Sequence, residues 1–143
     1  MKQNFFQEIE HTADVGIEIQ ADSVNQLFLQ AAKGFYFLVI GKTKLSRTVE
    51  SVDLSLERTT LEELLIEFLN ELNFYLMTKF FVLKFSESFN IAETENGYKL
   101  SFNSKTSTIN PKIIKNEIKA ATYHQLKINF KSGYYNTKIF FDI

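Results

Sequence analysis

The chain has 143 residues, 16 basic and 17 acidic side chains and a formal charge of −1. That length predicts one domain over 1–143, and a composition of 45% hydrophobic and 23% charged residues is that of a packed core, not of a disordered chain. The lack of cysteine excludes disulfide scaffolds, zinc–thiolate and iron–sulfur centres and a thiol nucleophile, and the balanced charge lacks the basic excess that strong independent nucleic-acid binding requires.

Residues 1–10 do not have the charged start and apolar run of a signal peptide. The longest apolar stretch, 34–41, is far below the roughly 20 residues of a membrane span. A cytoplasmic protein without membrane contact is the expectation. Residues 5–20 read as extended structure with an interruption, because Val15, Ile17 and Ile19 alternate with Gly16, Glu18 and Gln20. Ser23 is placed as an N-cap, with Leu27, Phe28, Ala31, Ala32, Phe35 and Leu38 on one helical face and Gly41 as the stop. Residues 48–56 read as a strand in which Glu50-Ser51 disturbs the alternation. A second helix starts at Thr60, with Glu63 completing a capping box and Leu61, Leu64, Leu65, Phe68, Leu69, Leu72, Tyr75 and Leu76 forming its stripe.

Beyond Thr78 the pattern turns to strands. Residues 80–85 are dense in Phe and Val. Asn96-Gly97 predicts a hairpin with a type I′ turn joining 89–95 to 98–102. The polar stretch 103–115, with the only proline, reads as a loop. Residues 117–130 read as extended, and Ser132-Gly133 as a second hairpin turn before the closing strand 134–142. The predicted fold is α+β: a mostly antiparallel sheet with two main helices packed on one side.

Three polar segments hold the candidate chemistry. His11-Thr12-Ala13-Asp14-Val15-Gly16 interrupts a strand-like run; by residue type alone it is also an ordinary turn. In Glu117-Ile118-Lys119-Ala120-Ala121-Thr122-Tyr123-His124, a strand would put Glu117, Lys119, Ala121 and Tyr123 on one face, and the small alanines would admit a neighbouring segment. Asp142 stands beside Ile143, whose terminal carboxylate would repel it unless a cation intervenes; the plainer reading is a solvated chain end. With neither cysteine nor clustered histidine, the available donors suit a hard cation such as Ca²⁺, Mg²⁺ or Mn²⁺. No phosphate loop, dinucleotide fingerprint or GxSxG elbow is present, and the abundant phenylalanine is assigned to the core.

In this order and spacing the segments resemble the archease family: Glu10-His11-Thr12-Ala13-Asp14-Val15-Gly16 its opening motif, residues 25–34 its first helix, 117–124 its most distinctive block, and Asp142-Ile143 its ending. The resemblance implies an α+β activator protein of the RtcB-type RNA ligase. That ligase joins 2′,3′-cyclic phosphate or 3′-phosphate ends to 5′-hydroxyls after attaching GMP to its own histidine. It further implies that Asp14, Asp142 and a main-chain or terminal oxygen of Ile143 hold a divalent metal, with Lys119 as the accessory basic residue. His11 and Thr12 receive at most an orienting role, and His124 a packing one. Lys112, Lys115 and Lys119 are the candidates for a local basic patch. The implied partner is the ligase, with GTP and tRNA reached only through it. The rival readings are a stand-alone metal-dependent phosphate-ester or nucleotide hydrolase, and a chaperone-like modulator of RNA processing.

Overall fold

The computed structural model describes residues 4–10, 14–45 and 47–143. Along the chain run β1 (Phe5–Glu10), β2 (Val15–Ala21), α1 (Val24–Ile40), β3 (Thr48–Arg58), α2 (Leu61–Lys79), β4 (Phe81–Phe85), β5 (Asn90–Thr94), β6 (Gly97–Thr108), β7 (Ala120–Ala121), β8 (Asn129–Lys131) and β9 (Tyr134–Asp142). The α+β class with two main helices and antiparallel strands is as expected, but the strands divide into two sheets. One has the order β1-β2-β9-β7 with β8 also on β9; the other has the order β3-β6-β4 with β5 also on β6. α1 packs on β1, β2 and β9, whereas α2 packs on β3, β4 and β6 and also reaches β7.

Local chemistry sets the helix bounds. The Ser23 hydroxyl accepts from the Gln26 N–H at 3.1 Å, and the Gly41 N–H closes the other end on Phe37 O. At α2, Thr60 accepts from the Glu63 N–H at 3.1 Å while its hydroxyl donates to Glu63 Oε1 at 3.0 Å. The apolar stripes of both helices are buried, and they meet at Phe28 and Phe68, whose rings stack with centroids 5.8 Å apart. Around Phe68 lie Phe85, Phe89 and Phe102, at centroid distances of 5.6, 5.5 and 6.0 Å. Such ring pairs add about 0.5–1.5 kcal/mol each beyond burial. These phenylalanines serve the core, as the composition suggested, whereas Phe5, Phe37, Phe74 and Phe130 are exposed.

Three sequence expectations need correction. Residues 103–108 belong to β6 and are not loop. Ser104, Thr106 and Ser107 are polar yet fully buried, because β6 is the central strand between β3 and β4. The Thr106 hydroxyl both accepts from the Glu50 N–H and donates to Glu50 O, which stitches the β3 irregularity foreseen at Glu50-Ser51. The hairpin near Asn96-Gly97 exists, but Thr94 pairs with Gly97, so Glu95 and Asn96 are its central residues and neither has positive φ. Gly97 is instead needed where β6 passes the end of β3: a Cβ there would run into Arg58 O and the Thr59 main chain. Finally, 117–130 is extended only in part, with strands at Ala120–Ala121 and Asn129–Lys131. Ser132 and Gly133, both with positive φ, form the second hairpin turn as expected.

Gly97→Ala is accordingly expected to cost about 2–3 kcal/mol in urea unfolding, since main chain cannot yield as a side chain can. Glu71 on α2 offers a second check. Its carboxyl is held above the ordinary value, first by burial, then by repulsion from Glu67, with Arg58 opposing. Because the folded state binds this proton more tightly, stability declines as pH rises from the ordinary value of 4.5 through the raised one. Glu71→Gln should therefore raise Tm at pH 7 and leave it nearly unchanged at pH 4; an equal gain at both values would refute the assignment.

Candidate functional site

β9 is the strand on which the three polar segments meet. On one side Val15 of β2 pairs with Phe141; on the other Ala120 and Ala121 of β7 pair with Asp142 and Phe141. Phe141 is fully buried, with its ring 5.9 Å from Phe35 of α1, so Asp142 on the next position faces outward and is exposed. Continuing the β2–β9 register by one step sets Asp14 opposite Asp142. Directly opposed residues of an antiparallel pair have Cβ atoms about 4.5–5.5 Å apart on one face. Beyond Ala120, the Lys119 N–H donates to Asp142 O at 2.8 Å, which brings Lys119 alongside Ile143. Gly16, two residues after Asp14, permits this closeness: a Cβ there would fall 2.8 Å from the Phe140 ring and 2.9 Å from Ile139 O.

The structure thus brings Asp14, Lys119, Asp142 and Ile143 to one end of the sheet. Asp14 is half-buried; Lys119, Asp142 and Ile143 are exposed. Among the described residues no hydrogen bond or ion pair is seen at the side chains of Asp14, Lys119 or Asp142, and the ion pair of Arg58 with Glu67, at 3.3 Å, lies elsewhere. Carboxylates at opposed positions of a strand pair are groups that could hold a cation between them. The donors are hard oxygens, the kind that suits divalent ions of the calcium and magnesium type. They also fall short of a closed cage: no group of three or more His, Cys, Asp or Glu occurs among the described residues. Main-chain oxygen, water or a partner's groups would have to complete coordination.

His11 and Thr12 lie outside the described residues. The His124 ring meets Phe140 edge-on with centroids 5.7 Å apart, a packing contact as expected. Lys115 is drawn to the end of α1, where its N–H donates to Val39 O at 2.6 Å and its ammonium lies beside Gly41. A cation at a helix C-terminus answers the carbonyl dipoles there, which competes with any role in a basic patch around Lys119.

Sequence reading missed Asn70 and Asn73, which interrupt the apolar stripe of α2 one turn apart. Asn70 Oδ1 accepts from the Ala121 N–H at 2.8 Å, and Asn73 Nδ2 donates to Ile118 O at 2.9 Å. These bonds lay the segment 118–121 against α2 and hold the main chain of Lys119 at the sheet end. The detectable signal was two amides at i and i+3 within an otherwise leucine-rich face; their partners, some 50 residues away, were not legible. A cleft of about 470 Å³ opens here, lined by Asn73, Phe74, Met77, Glu117, Ile118, Lys119 and Ile143. A larger groove of about 720 Å³ lies between α1 and β4, lined mainly by apolar side chains. The smaller cleft is the better functional candidate, because it adjoins the carboxylates and the lysine.

The fold defines a small α+β protein whose sheet end carries Asp14 and Asp142 at opposed positions and Lys119 and Ile143 in the adjoining cleft against α2. The model of the Archease protein family (MTH1598/TM1083) matches residues 6–143. The chain belongs to the archease family. It is 34% identical over 122 residues to protein archease of Thermococcus kodakarensis, covering 83% of this chain and 84% of that one. It is 27% identical over 140 residues to that of Methanosarcina mazei, covering 96% and 95%. Its fold matches the solution structure of Methanobacterium thermoautotrophicum protein 1598 with a TM-score of 0.80 at 23% identity, over 96% of this chain and 98% of that one. It also matches the crystal structure of an archease, described as a possible chaperone, from Thermotoga maritima, with a TM-score of 0.65 at 23% identity over 96% of each. No helix among the described residues is long and apolar enough to cross a membrane.

Removal of the α2 anchor gives a direct check. Asn70→Ala should cost about 1 kcal/mol, as the loss of a part-buried hydrogen bond does. It should also speed hydrogen exchange at the Ala121 amide more than at the amides of β6.

Proposed function

We propose that the chain acts as an activator protein of an RtcB-type RNA ligase and is not itself the enzyme. In this reading it promotes the GTP-dependent guanylylation of the ligase and its repeated turnover in tRNA splicing or RNA repair. The observation that supports it is the convergence of Asp14, Lys119 and Asp142, from three distant segments, at one exposed end of a sheet. Carboxylates on an exposed sheet end suit work done at another protein's site better than enclosed catalysis on a small molecule. The description of the Thermotoga maritima relative as a possible chaperone fits the same pattern of one protein acting on another.

Asp14, Asp142 and a main-chain or terminal oxygen of Ile143 would hold a divalent ion, calcium, magnesium or manganese. When bound, such an ion supplies positive charge toward phosphate oxygens. Lys119 offers an ammonium beside the same strand end, where it can meet a phosphate oxygen or balance the carboxylates. Ala120 and Ala121 keep the adjoining surface low, and Asn70 and Asn73 hold that strand in register with Asp142. GTP and tRNA are contacted through the ligase, in keeping with the net charge of −1. Location in the cytoplasm accompanies this reading.

The test is guanylylation of the cognate ligase with GTP and Mn²⁺, with and without the chain. Wild type should stimulate; Asp14→Ala and Asp142→Ala should each remove the stimulation while unfolding as wild type does. A saturating divalent ion should raise Tm by mass action in wild type, and the rise should vanish in both variants. No stimulation by folded wild type overturns the reading, and GTP or cyclic-phosphate turnover by the chain alone would replace it with a hydrolase.

A further inference from the structure

α1 carries two apolar faces, and one of them is covered only in part. Leu27, Phe28, Ala31, Phe35 and Leu38 are buried in the core. Leu29, Ala32, Tyr36, Phe37 and Ile40 recur at helical spacing on a second stripe, which forms one wall of the groove of about 720 Å³ facing β4. Lys33 is the single charged side chain among the 17 residues of α1, so this helix lacks the solvated face of an ordinary surface helix. Yet the groove stays open, and Phe37 in its wall is 38% exposed. The charge of the lining is one-sided. Its charged side chains are Lys33, Lys42 and Lys84, all exposed, and it contains no carboxylate. Among the described residues none of these three lysines is seen in an ion pair. They stand at separate places: Lys33 in the middle of α1, Lys42 beyond its C-terminal end, and Lys84 on the opposite wall in β4.

An occupant that matches this lining brings an apolar face flanked by several separated negative charges. We propose that the groove between α1 and β4 seats an acidic amphipathic helix of a partner protein. The groove contains neither Asp14, Lys119 nor Asp142, so the proposal stands apart from the ligase reading. From Gln26 to Ile40 its α1 wall runs about 21 Å, close to four helical turns, which suits apolar anchors at i, i+3, i+4 and i+7. The acidic flanks of such a helix meet the three lysines. An added strand fits less well. β4 lies at the edge of its sheet, but the Leu83 N–H already donates to the Tyr36 hydroxyl at 3.0 Å, and on β5 the Ile91 N–H donates to Asn25 Oδ1 at 3.0 Å. Side chains of α1 thus hold the main-chain groups that an incoming strand would need. A fatty acid brings one carboxylate, which cannot serve three separated ammoniums. Single-stranded RNA brings separated phosphates, but its base edges would lose water against aliphatic side chains, with Gln26 and Thr43 as the uncharged polar groups beside the engaged Tyr36.

The probe is a peptide of about 15 residues with leucine at i, i+3, i+4 and i+7 and glutamate at the flanking positions. It is titrated into the full chain by calorimetry, with the amides of Lys33, Phe37 and Lys84 followed by NMR. Three controls accompany it: the same peptide with lysine for glutamate, a version with a central proline, and separate titrations of oleate and oligouridylate. The acidic peptide should bind saturably, shift these amides and bind about tenfold or more tightly than its lysine counterpart. Lys33→Glu combined with Lys84→Glu, at two exposed positions, should keep the Tm of wild type and reverse the preference toward the lysine peptide. Phe37→Ser should weaken binding of the acidic peptide to wild-type charge. No binding, equal affinity for both peptides, or an acidic preference that survives the charge reversal overturns the proposal. Equal binding of the proline version overturns the helical form of the occupant. Shifts at these amides with oleate or oligouridylate but not with the peptide give the groove to a lipid or to RNA. Self-association of the chain in sedimentation, abolished by the charge reversal, gives it to a second copy; each of these results overturns the partner helix.

Discussion

The hydrogen-bonded ladder of β9 is the constraint from which the rest follows. β9 pairs with β2 along seven positions and with β7 at its last two, so its register decides which residues of two remote segments share the end of the sheet. Side chains alternate across a strand, and a slip of one residue on either flank would turn Asp14 or the Lys119 segment to the opposite face. The slip is opposed from inside the core. Ile17, Ile19, Ile139 and Phe141 are fully buried beneath α1, and any shift would exchange them for Glu18 or Lys138. Burial of the apolar face thus fixes the position of the charged one.

α2 holds the other side of the site. It is the helix that packs on the second sheet, yet its Asn70 and Asn73 reach across to the 118–121 segment of the first. A two-residue strand such as β7 has too few ladder bonds to hold itself, and these amides supply the difference. Phe68, two residues before Asn70, is locked among Phe28, Phe85, Phe89 and Phe102. The aromatic core of one sheet therefore positions the lysine at the end of the other.

The site itself is sparse. Two carboxylates and a lysine on an exposed sheet end can bind charge, but they do not exclude water or enclose a reacting group. The chain presents a carboxylate pair at the sheet end and, beside it, an apolar-lipped cleft with an unpaired acceptor.

The sequence by itself determined the elements with local causes. Ser23 and Thr60 cap their helices through side-chain oxygens within three residues, Ser132-Gly133 turns its hairpin by positive φ, and Val15-Gly16-Ile17-Glu18-Ile19 alternates as a strand. Family resemblance at the two ends of the chain also identified Asp14, Lys119, Asp142 and Ile143 as residues to watch. Tertiary structure alone decided that the strands divide into two sheets, because pairing partners are set by packing and not by local propensity. It decided that Ser104, Thr106 and Ser107 are interior strand residues: polarity signals a loop only where the hydroxyls have no buried partner, and the central place of β6 provides partners. It decided that Gly97 serves a close passage by Arg58 instead of a turn centre. Most consequentially, it brought positions 14, 119 and 142 to one place, since proximity across 100 residues is written in strand register, which no single segment encodes.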